Sequence, residues 1–233
     1  MRYISKNNQT PAIITNYVTL REGAGQVVTY DDFNDKEALN NLLREEQSLI
    51  CCYCQQRIDH YQQDNEAGSH NEHFIPMHGA AADIELQMDY NNLYASCNYT
   101  KGYPPEQTYC GEHKKHLPIA DFIKRTDCRT FFKYNLSGEI LPSGNFESIQ
   151  QFVEQRDVLP QNQSTALRAI EVLNLNEAVL KKTRKLAATV MLKLASGLSQ
   201  QQAQARIQNE NHKETLTPFV EMLIYFLRKK EDQ

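Results

Sequence analysis

Cysteines and histidines are concentrated in one short stretch of this chain. Residues 51–116 contain six of the seven histidines and five of the six cysteines of the 233-residue sequence. Thiolates at C-x-x-C spacing are typical ligands of a structural zinc ion, whereas a carboxylate beside a histidine suits a harder divalent ion. The stretch contains both patterns, at residues 51–54 and 70–73, so we expect two chemically distinct metal environments.

The composition is that of an ordinary folded protein, with 40% hydrophobic and 23% charged residues. A net charge of −4 argues against a protein that coats nucleic acid, because such binding relies on clustered Lys and Arg. No stretch approaches the roughly 20 apolar residues that span a bilayer, and residues 1–6 lack the apolar run of a secretory signal. We therefore expect a cytoplasmic protein without membrane contact, whose cysteines are thiols or metal ligands.

Local patterns divide the chain into three segments. Residues 1–36 show no clear period and are expected to form an irregular N-terminal arm. Residues 37–130 contain most of the Cys and His residues. Within them, the pattern predicts a helix at 37–47, a polar loop at 59–71 and short strands at 73–76 and 90–95.

Residues 131–233 are predicted to form a hairpin followed by helices. The hairpin spans residues 131–141, with Ser137 and Gly138 at its turn. From about residue 146, apolar residues recur with a period of 3.6 and indicate helices packed on neighbours. These apolar residues form two stripes: Leu167, Ile170 and Leu173 in one, and Leu180, Leu186, Ala187, Val190, Met191 and Leu194 in the other. Ser199 with Gln202 resembles a capping box, and Thr217 with Pro218 predicts a further helix start.

Four cysteines have spacing that suits one structural zinc. Cys51 and Cys54 are separated by two residues, and the nearest second pair is Cys97 with Cys110. Because the gap within the second pair is longer than usual, a histidine is an alternative for one of its members: His60, His70 or His116. Cys52 and Cys128 then remain, and we interpret them as buried or half-buried thiols.

Glu72 and His73 form a pattern typical of phosphodiester hydrolysis. A neutral imidazole is available near pH 7 to take a proton from water, and the neighbouring carboxylate can hold a cation. Such a pair is common on protein surfaces, so its weight comes from its position between the two cysteine pairs.

The order of four short motifs resembles the HNH nuclease family, which has the ββα-metal fold. The motifs are Cys-x-Tyr-Cys (51–54), Glu-His-Phe-x-Pro (72–76), Asn-Leu-x-x-Ser-Cys (92–97) and Cys-Gly-x-His-Lys-Lys (110–115). Residues 1–6 and 169–176 are also similar to HNH subunits of the PtuB type, which belong to Septu and retron-linked antiphage systems. The resemblance implies an α+β protein: a zinc-stabilised ββα-metal module at residues 37–130 with an additional C-terminal α-helical region.

The resemblance also implies roles for individual residues. His73 would be the general base, Glu72 a ligand of a catalytic Mg²⁺ or Mn²⁺ ion, and Asn92 the residue that orients the His73 loop. His113 would be the third motif residue and the second ligand of that ion; Asn98, which directly follows Cys97, is the alternative.

Two lysines near His113 have a less specific assignment. Lys114 and Lys115 would hold substrate phosphates or would simply be solvated helix charges.

The function implied by the resemblance is metal-dependent cleavage of DNA in an antiphage defence complex. The implied partner is an ATPase of the PtuA type, and the chain itself lacks a phosphate-binding loop. A retron reverse transcriptase with its RNA and DNA product is a further candidate partner, and the helical region is the expected docking surface. Two alternatives stay open: an RNA-directed nuclease that uses the same site, and an inert zinc-binding interaction module.

Overall fold

The computed structural model describes residues 1–59 and 68–231. Within those ranges the chain is a mixed α/β protein with two small antiparallel sheets, β1–β2 and β3–β4. None of the helices described there is long and apolar enough to cross a membrane. The elements, in order along the chain, are α1 (Ala12–Gly23), α2 (Lys36–Glu46), β1 (Ser69–His73), β2 (Leu93–Cys97), α3 (Gly111–Lys114), β3 (Phe132–Tyr134), β4 (Ile140–Pro142), α4 (Ile149–Glu154), α5 (Gln161–Val172), α6 (Ala178–Ser196), α7 (Gln200–Asn211) and α8 (Val220–Glu231).

The first sheet confirms a pair of short strands but corrects the bounds of both, since β2 spans Leu93–Cys97 where we predicted a strand at 90–95. β1 pairs with β2 in a register that places His73 opposite Leu93. We predicted a strand at 73–76, whereas β1 ends at His73 and occupies part of the predicted polar loop. Its polar side chains bond to α2, where Asn40 accepts from Ser69 at 2.8 Å and donates to Asn71 at 2.9 Å. A prediction based on apolar residues misses a strand whose side chains are held in this way.

The N-terminal arm contains a helix, which corrects the expectation of an irregular segment. α1 starts without a side-chain cap and buries only Ile14 completely, so its sequence lacks the signals on which helix prediction relies. Beyond α1 the arm folds back, and the ring of Tyr17 meets that of Phe33 edge to face at 5.1 Å. The predicted helix at 37–47 is confirmed as α2.

The hairpin and most of the helical region match the prediction. β3 and β4 are joined by a turn in which Gly138 has φ +85°, and a Cβ there would lie 2.2 Å from the Lys181 carbonyl oxygen of α6. The α5 stripe is buried, and the capping box of Ser199 with Gln202 is present. On α6 the prediction is wrong in part, because Leu186 and Val190 are 65% and 67% exposed.

The start of α8 differs from the prediction. Thr217 does not cap this helix; its hydroxyl donates to Glu210 at 2.8 Å, and α8 begins only at Val220. Phe219 has φ +57°, and its N–H donates to the carbonyl of Gln55 at 2.9 Å. The loop beside the first cysteine pair therefore fixes the helix start, a long-range contact that local sequence does not contain.

A single main hydrophobic core contains residues from the N-terminal arm, the cysteine segment and the helical region. The site described next is therefore packed against all three predicted segments.

Candidate metal and catalytic site

Four cysteine side chains converge at one buried point. The Sγ atoms of Cys51, Cys54, Cys97 and Cys110 all lie within 4.8 Å of one another. Sγ of Cys51 is 3.8 Å from that of Cys110, and Sγ of Cys54 is 3.7 Å from that of Cys97. Tetrahedral zinc with Zn–S bonds of about 2.3 Å requires sulfur atoms about 3.8 Å apart. The four thiols therefore fit a structural metal ion such as zinc.

Backbone contacts hold these thiols in position. The first pair lies in a tight turn that ends at Gln55, which has φ +65°. The Cys97 N–H at the end of β2 points to Sγ of Cys51 at 3.3 Å. Cys110 precedes α3 with φ +58°, and its N–H donates to the carbonyl of Leu173 at 2.8 Å. The helical region thereby fixes the fourth thiol, and the long gap in the second pair does not prevent convergence.

The histidine alternatives are not needed for this cluster. His70 contacts Glu72, and His116 packs its ring on that of His78 at 5.6 Å. His60 lies outside the described residues.

The two remaining cysteines are buried thiols, as predicted. Burial raises the pKa of Cys52 well above its usual value of 9.0 and raises the pKa of Cys128 to about 11. Neither thiol belongs to the group of four that converges, and this geometry separates Cys52 from the neighbouring Cys51.

Glu72 lies on the face of β1 that meets α3. One oxygen, Oε1, accepts from the Tyr53 hydroxyl at 3.0 Å and lies 2.9 Å from Nζ of Lys114. The other, Oε2, is 3.3 Å from Nε2 of His70. Burial disfavours the charged carboxylate, but the His70 hydrogen bond and the Lys114 charge outweigh it and lower the pKa of Glu72. Glu72 is therefore a buried anion.

Lys114 corrects one of our assignments. Its side chain is 0% exposed, it is paired with Glu72, and it also donates to the carbonyl of His73 at 3.0 Å. A lysine that is buried and paired in this way cannot reach a substrate phosphate in this conformation. Lys115 is exposed, so its assignment stays a prediction.

His73 faces away from Glu72, since successive strand residues alternate between faces. Its Nε2 is 2.9 Å from the Gln87 carbonyl oxygen, and its ring meets that of Tyr30 edge to face at 4.6 Å. Burial lowers the pKa of His73 below its ordinary 6.5, partly opposed by the bond to Gln87. The imidazole is thus held neutral in a fixed orientation.

Asn92 bonds to the loop that follows His73. Its Oδ1 accepts from the Ile75 N–H at 2.7 Å, and its Nδ2 donates to the carbonyls of Ile75 at 3.0 Å and Leu86 at 3.2 Å. The side chain is buried and ties the two ends of the 74–92 connection together. These contacts are what an orienting residue for the His73 loop requires.

The structure places His113 and Glu72 against different neighbours. His113 bonds through Nδ1 to the Val172 carbonyl oxygen at 3.0 Å, at the end of α5, whereas Glu72 contacts Lys114 and His70. Asn98 lies just beyond β2, and its N–H donates to the carbonyl of Gly68. Neither of these contacts is with Glu72, the first proposed ligand of the catalytic ion. The choice between His113 and Asn98 as the second ligand therefore stays a prediction.

Several residues around the site were missed by the sequence analysis. Tyr30 and Gln87 contact His73, Tyr53 contacts Glu72, and His70 was considered only as an alternative zinc ligand. Only His70 carried a usable signal: it lies two residues before Glu72, so both side chains would share one face of a strand. The others approach the site through tertiary contacts.

Comparison with known proteins adds no family assignment. A scan against protein-family models finds no match for this sequence, and a search of curated proteins finds no significant match.

Proposed function

We propose that this chain is a metal-dependent HNH endonuclease that cleaves phosphodiester bonds, with DNA as its proposed substrate. The observation that carries the proposal is the hydrogen bond between His73 and the Gln87 carbonyl. A carbonyl oxygen only accepts hydrogen bonds, so Nε2 of the neutral ring must carry the proton. Nδ1 is then the atom with a free lone pair, which a general base uses to take a proton from water.

Three further features support this role for His73. The lowered pKa keeps the imidazole unprotonated near neutral pH. Asn92 fixes the loop that follows the base. The succession β1, β2, α3 has the element order of a ββα module, and the cysteine cluster joins Cys97, the last residue of β2, to Cys110, which directly precedes α3.

The proposed catalytic ion, Mg²⁺ or Mn²⁺, would bind at Glu72, the buried anion of the site. When bound, such an ion stabilises the negative charge that grows on the phosphate and on the leaving oxygen. The chain's own contribution is to orient Glu72 through Tyr53 and Lys114 and to hold His73 as a neutral base.

We further propose that the nuclease acts in the cytoplasm as a subunit of an antiphage complex with an ATPase of the PtuA type. A retron reverse transcriptase and its nucleic-acid product are proposed additional partners. The exposed apolar residues of α6 support docking through the helical region: Val179, Leu186 and Val190 are 64%, 65% and 67% exposed. Apolar surface of this kind is typical of protein interfaces.

The test is a cleavage assay of the purified chain with Mg²⁺ or Mn²⁺, on plasmid DNA and on RNA, with and without the ATPase. Removing a general base costs roughly 10²–10⁴-fold in rate. We expect His73→Ala to lose at least about 100-fold of the activity, while His78→Ala, an exposed histidine nearby, stays at the wild-type rate. Cleavage by His73→Ala at the wild-type rate would refute the assigned base. Cleavage of RNA alone would retain the site and change the substrate.

One observation favours a second candidate, an inert zinc-binding interaction module. Glu72 already has a buried ion pair with Lys114 and a hydrogen bond from Tyr53, which a purely structural carboxylate would also have. This candidate predicts that no divalent ion and no partner produces cleavage of DNA or RNA, and that His73→Ala changes neither result.

A further inference from the structure

We propose that His70 and Glu72 form a divalent-cation site, with Nε2 of His70 and Oε2 of Glu72 as ligands and Glu112 holding the other ring nitrogen. The inference deepens the proposed function, because it names the second ligand of the ion and places it on β1 rather than at His113. It rests on that function only for the use of the ion, since binding is measurable without cleavage.

The imidazole of His70 lies between two carboxylates. Its Nε2 is 3.3 Å from Oε2 of Glu72, and its Nδ1 is 3.7 Å from Oε1 of Glu112. Burial disfavours a charge on this ring, but the hydrogen bond and charge of Glu72 and the charge of Glu112 outweigh burial and raise the pKa of His70. A divalent cation between Nε2 and Oε2 would replace the proton on Nε2 and keep both ligand atoms in place. Nδ1 forms no hydrogen bond at its present distance from Glu112. In the ion-bound form Glu112 would approach and accept from Nδ1–H, the carboxylate–histidine–metal arrangement common in metalloproteins.

The spacing of the two proposed ligand atoms suits a shared ion. Two ligands about 2.1 Å from a cation and at right angles to each other lie about 3.0 Å apart. The observed 3.3 Å between Nε2 and Oε2 is close to this value. A nitrogen ligand beside a carboxylate favours Mn²⁺ and similar transition ions over Ca²⁺.

The surroundings of Glu72 select Oε2 as the free ligand atom. Tyr53 and Lys114 both contact Oε1, at 3.0 Å and 2.9 Å. These contacts fix the carboxylate so that Oε2 faces His70. Lys114 also supplies a positive charge that keeps Glu72 ionised, as a metal ligand must be.

Gly111 leaves space beside the two ligand atoms. A Cβ at this position would lie 2.4 Å from Oε2 of Glu72 and 2.6 Å from Nε2 of His70. Any side chain there would displace one or both atoms. The His70 side chain is 31% exposed, so solvent reaches the pair.

His113 provides a matched control on the same short helix. Its Nδ1 bonds to the Val172 carbonyl, so its ring is oriented toward α5 by a contact separate from the His70–Glu72 pair. The two histidine substitutions therefore distinguish two possible sites. Loss of Mn²⁺ binding in His70→Ala indicates a site formed with Glu72 by His70, and loss in His113→Ala indicates one formed by His113.

The experiment is a Mn²⁺ titration of the full chain loaded with zinc, in which electron paramagnetic resonance measures free Mn²⁺. We expect wild type to bind one Mn²⁺ and His70→Ala to bind it at least about 10-fold more weakly, whereas His113→Ala binds as wild type does. Zinc content and the circular dichroism spectrum verify that each variant is folded. Gly111→Ala is a second variant with the same expectation, because its Cβ enters the gap.

Three results would overturn the inference: wild type binds no Mn²⁺, His70→Ala binds as tightly as wild type, or His113→Ala alone loses the ion. The first would indicate that His70 is a charged imidazolium paired with both carboxylates. A parallel cleavage assay separates the inference from the proposed function. Mn²⁺ binding that depends on His70 without any cleavage contradicts the nuclease alone, whereas cleavage that depends on His73 but is unchanged in His70→Ala contradicts the ion site alone.

Discussion

The cysteine cluster and the polar site on β1 are two regions of one small module, yet they are built differently. The four Sγ atoms lie within 4.8 Å of one another, and two of the pairs are at the 3.7 and 3.8 Å that a tetrahedral zinc requires. The polar groups on β1 instead have protein partners, Tyr53 and Lys114 for Glu72 and Gln87 for His73. The structural role of the cysteines can therefore be inferred from geometry alone. The chemical role of β1 depends on which of its protein contacts a cation or a substrate replaces.

The largest expected effect is on the cysteine cluster. Cys51→Ser removes one of four thiolates, and a structural zinc contributes on the order of 10 kcal/mol or more to folding. We expect loss of zinc and loss of a cooperative thermal transition. Cys52→Ser changes a neighbouring buried thiol that lies outside the cluster and should retain the metal. Zinc analysis and thermal circular dichroism measure both variants, and full retention of zinc and stability in Cys51→Ser would mean that Cys51 does not bind a structural metal.

An intermediate effect is expected at the loop that follows the proposed base. Asn92→Ala leaves two carbonyls and one N–H of the 74–92 connection without their side-chain partner. Because an unsatisfied buried group costs about 1–3 kcal/mol and water can reach some of them, we expect a loss of about 2–4 kcal/mol in the free energy of unfolding. Asn91→Ala, at the exposed neighbour, should change it by less than about 0.5 kcal/mol. Urea denaturation measures the free energy of unfolding of both variants. Equal losses would contradict the orienting role of Asn92.

The smallest expected effect is the pH dependence that follows from His73. Its pKa in the folded chain lies below the ordinary 6.5, so the unfolded chain binds more protons as the pH falls through 6.5. Stability from this group is therefore present above pH 6.5 and is lost as the pH falls through that value toward the folded pKa. Cleavage should likewise stay constant at and somewhat below about pH 6.5, and it should fall about tenfold per pH unit only below the folded pKa of His73. A rate that already falls between pH 8 and pH 7 would contradict a depressed pKa.

Sequence information was sufficient where the chemistry is local. The C-x-x-C pair, the capping box at Ser199 and the Ser-Gly turn of the hairpin each depend on a few neighbouring residues, and each is present in the structure. The choice of Cys97 and Cys110 as the second pair also succeeded, because they are the nearest remaining thiols that suit zinc.

The rest depends on long-range contacts. The position of β1 was predicted wrongly because this strand packs on α2 through hydrogen bonds to Asn40 and not through apolar side chains. The start of α8 depends on the Gln55 carbonyl, 164 residues earlier in the chain. The burial of Lys114 follows from its pairing with Glu72 on a neighbouring element. The pattern of residues along a chain does not specify which polar groups meet in the fold. It therefore predicted which residues bind metal better than which residues those side chains contact.

We propose that the chain contains two separate metal environments, a structural one formed by thiols and a weaker catalytic one at β1. The most direct test is mild chelation of the wild-type chain, with zinc content and cleavage measured on the same sample before and after. We expect one zinc per chain to be retained while cleavage is lost, and Mg²⁺ or Mn²⁺ to restore it. Cleavage that survives chelation, or that disappears only together with the zinc, would contradict the claim.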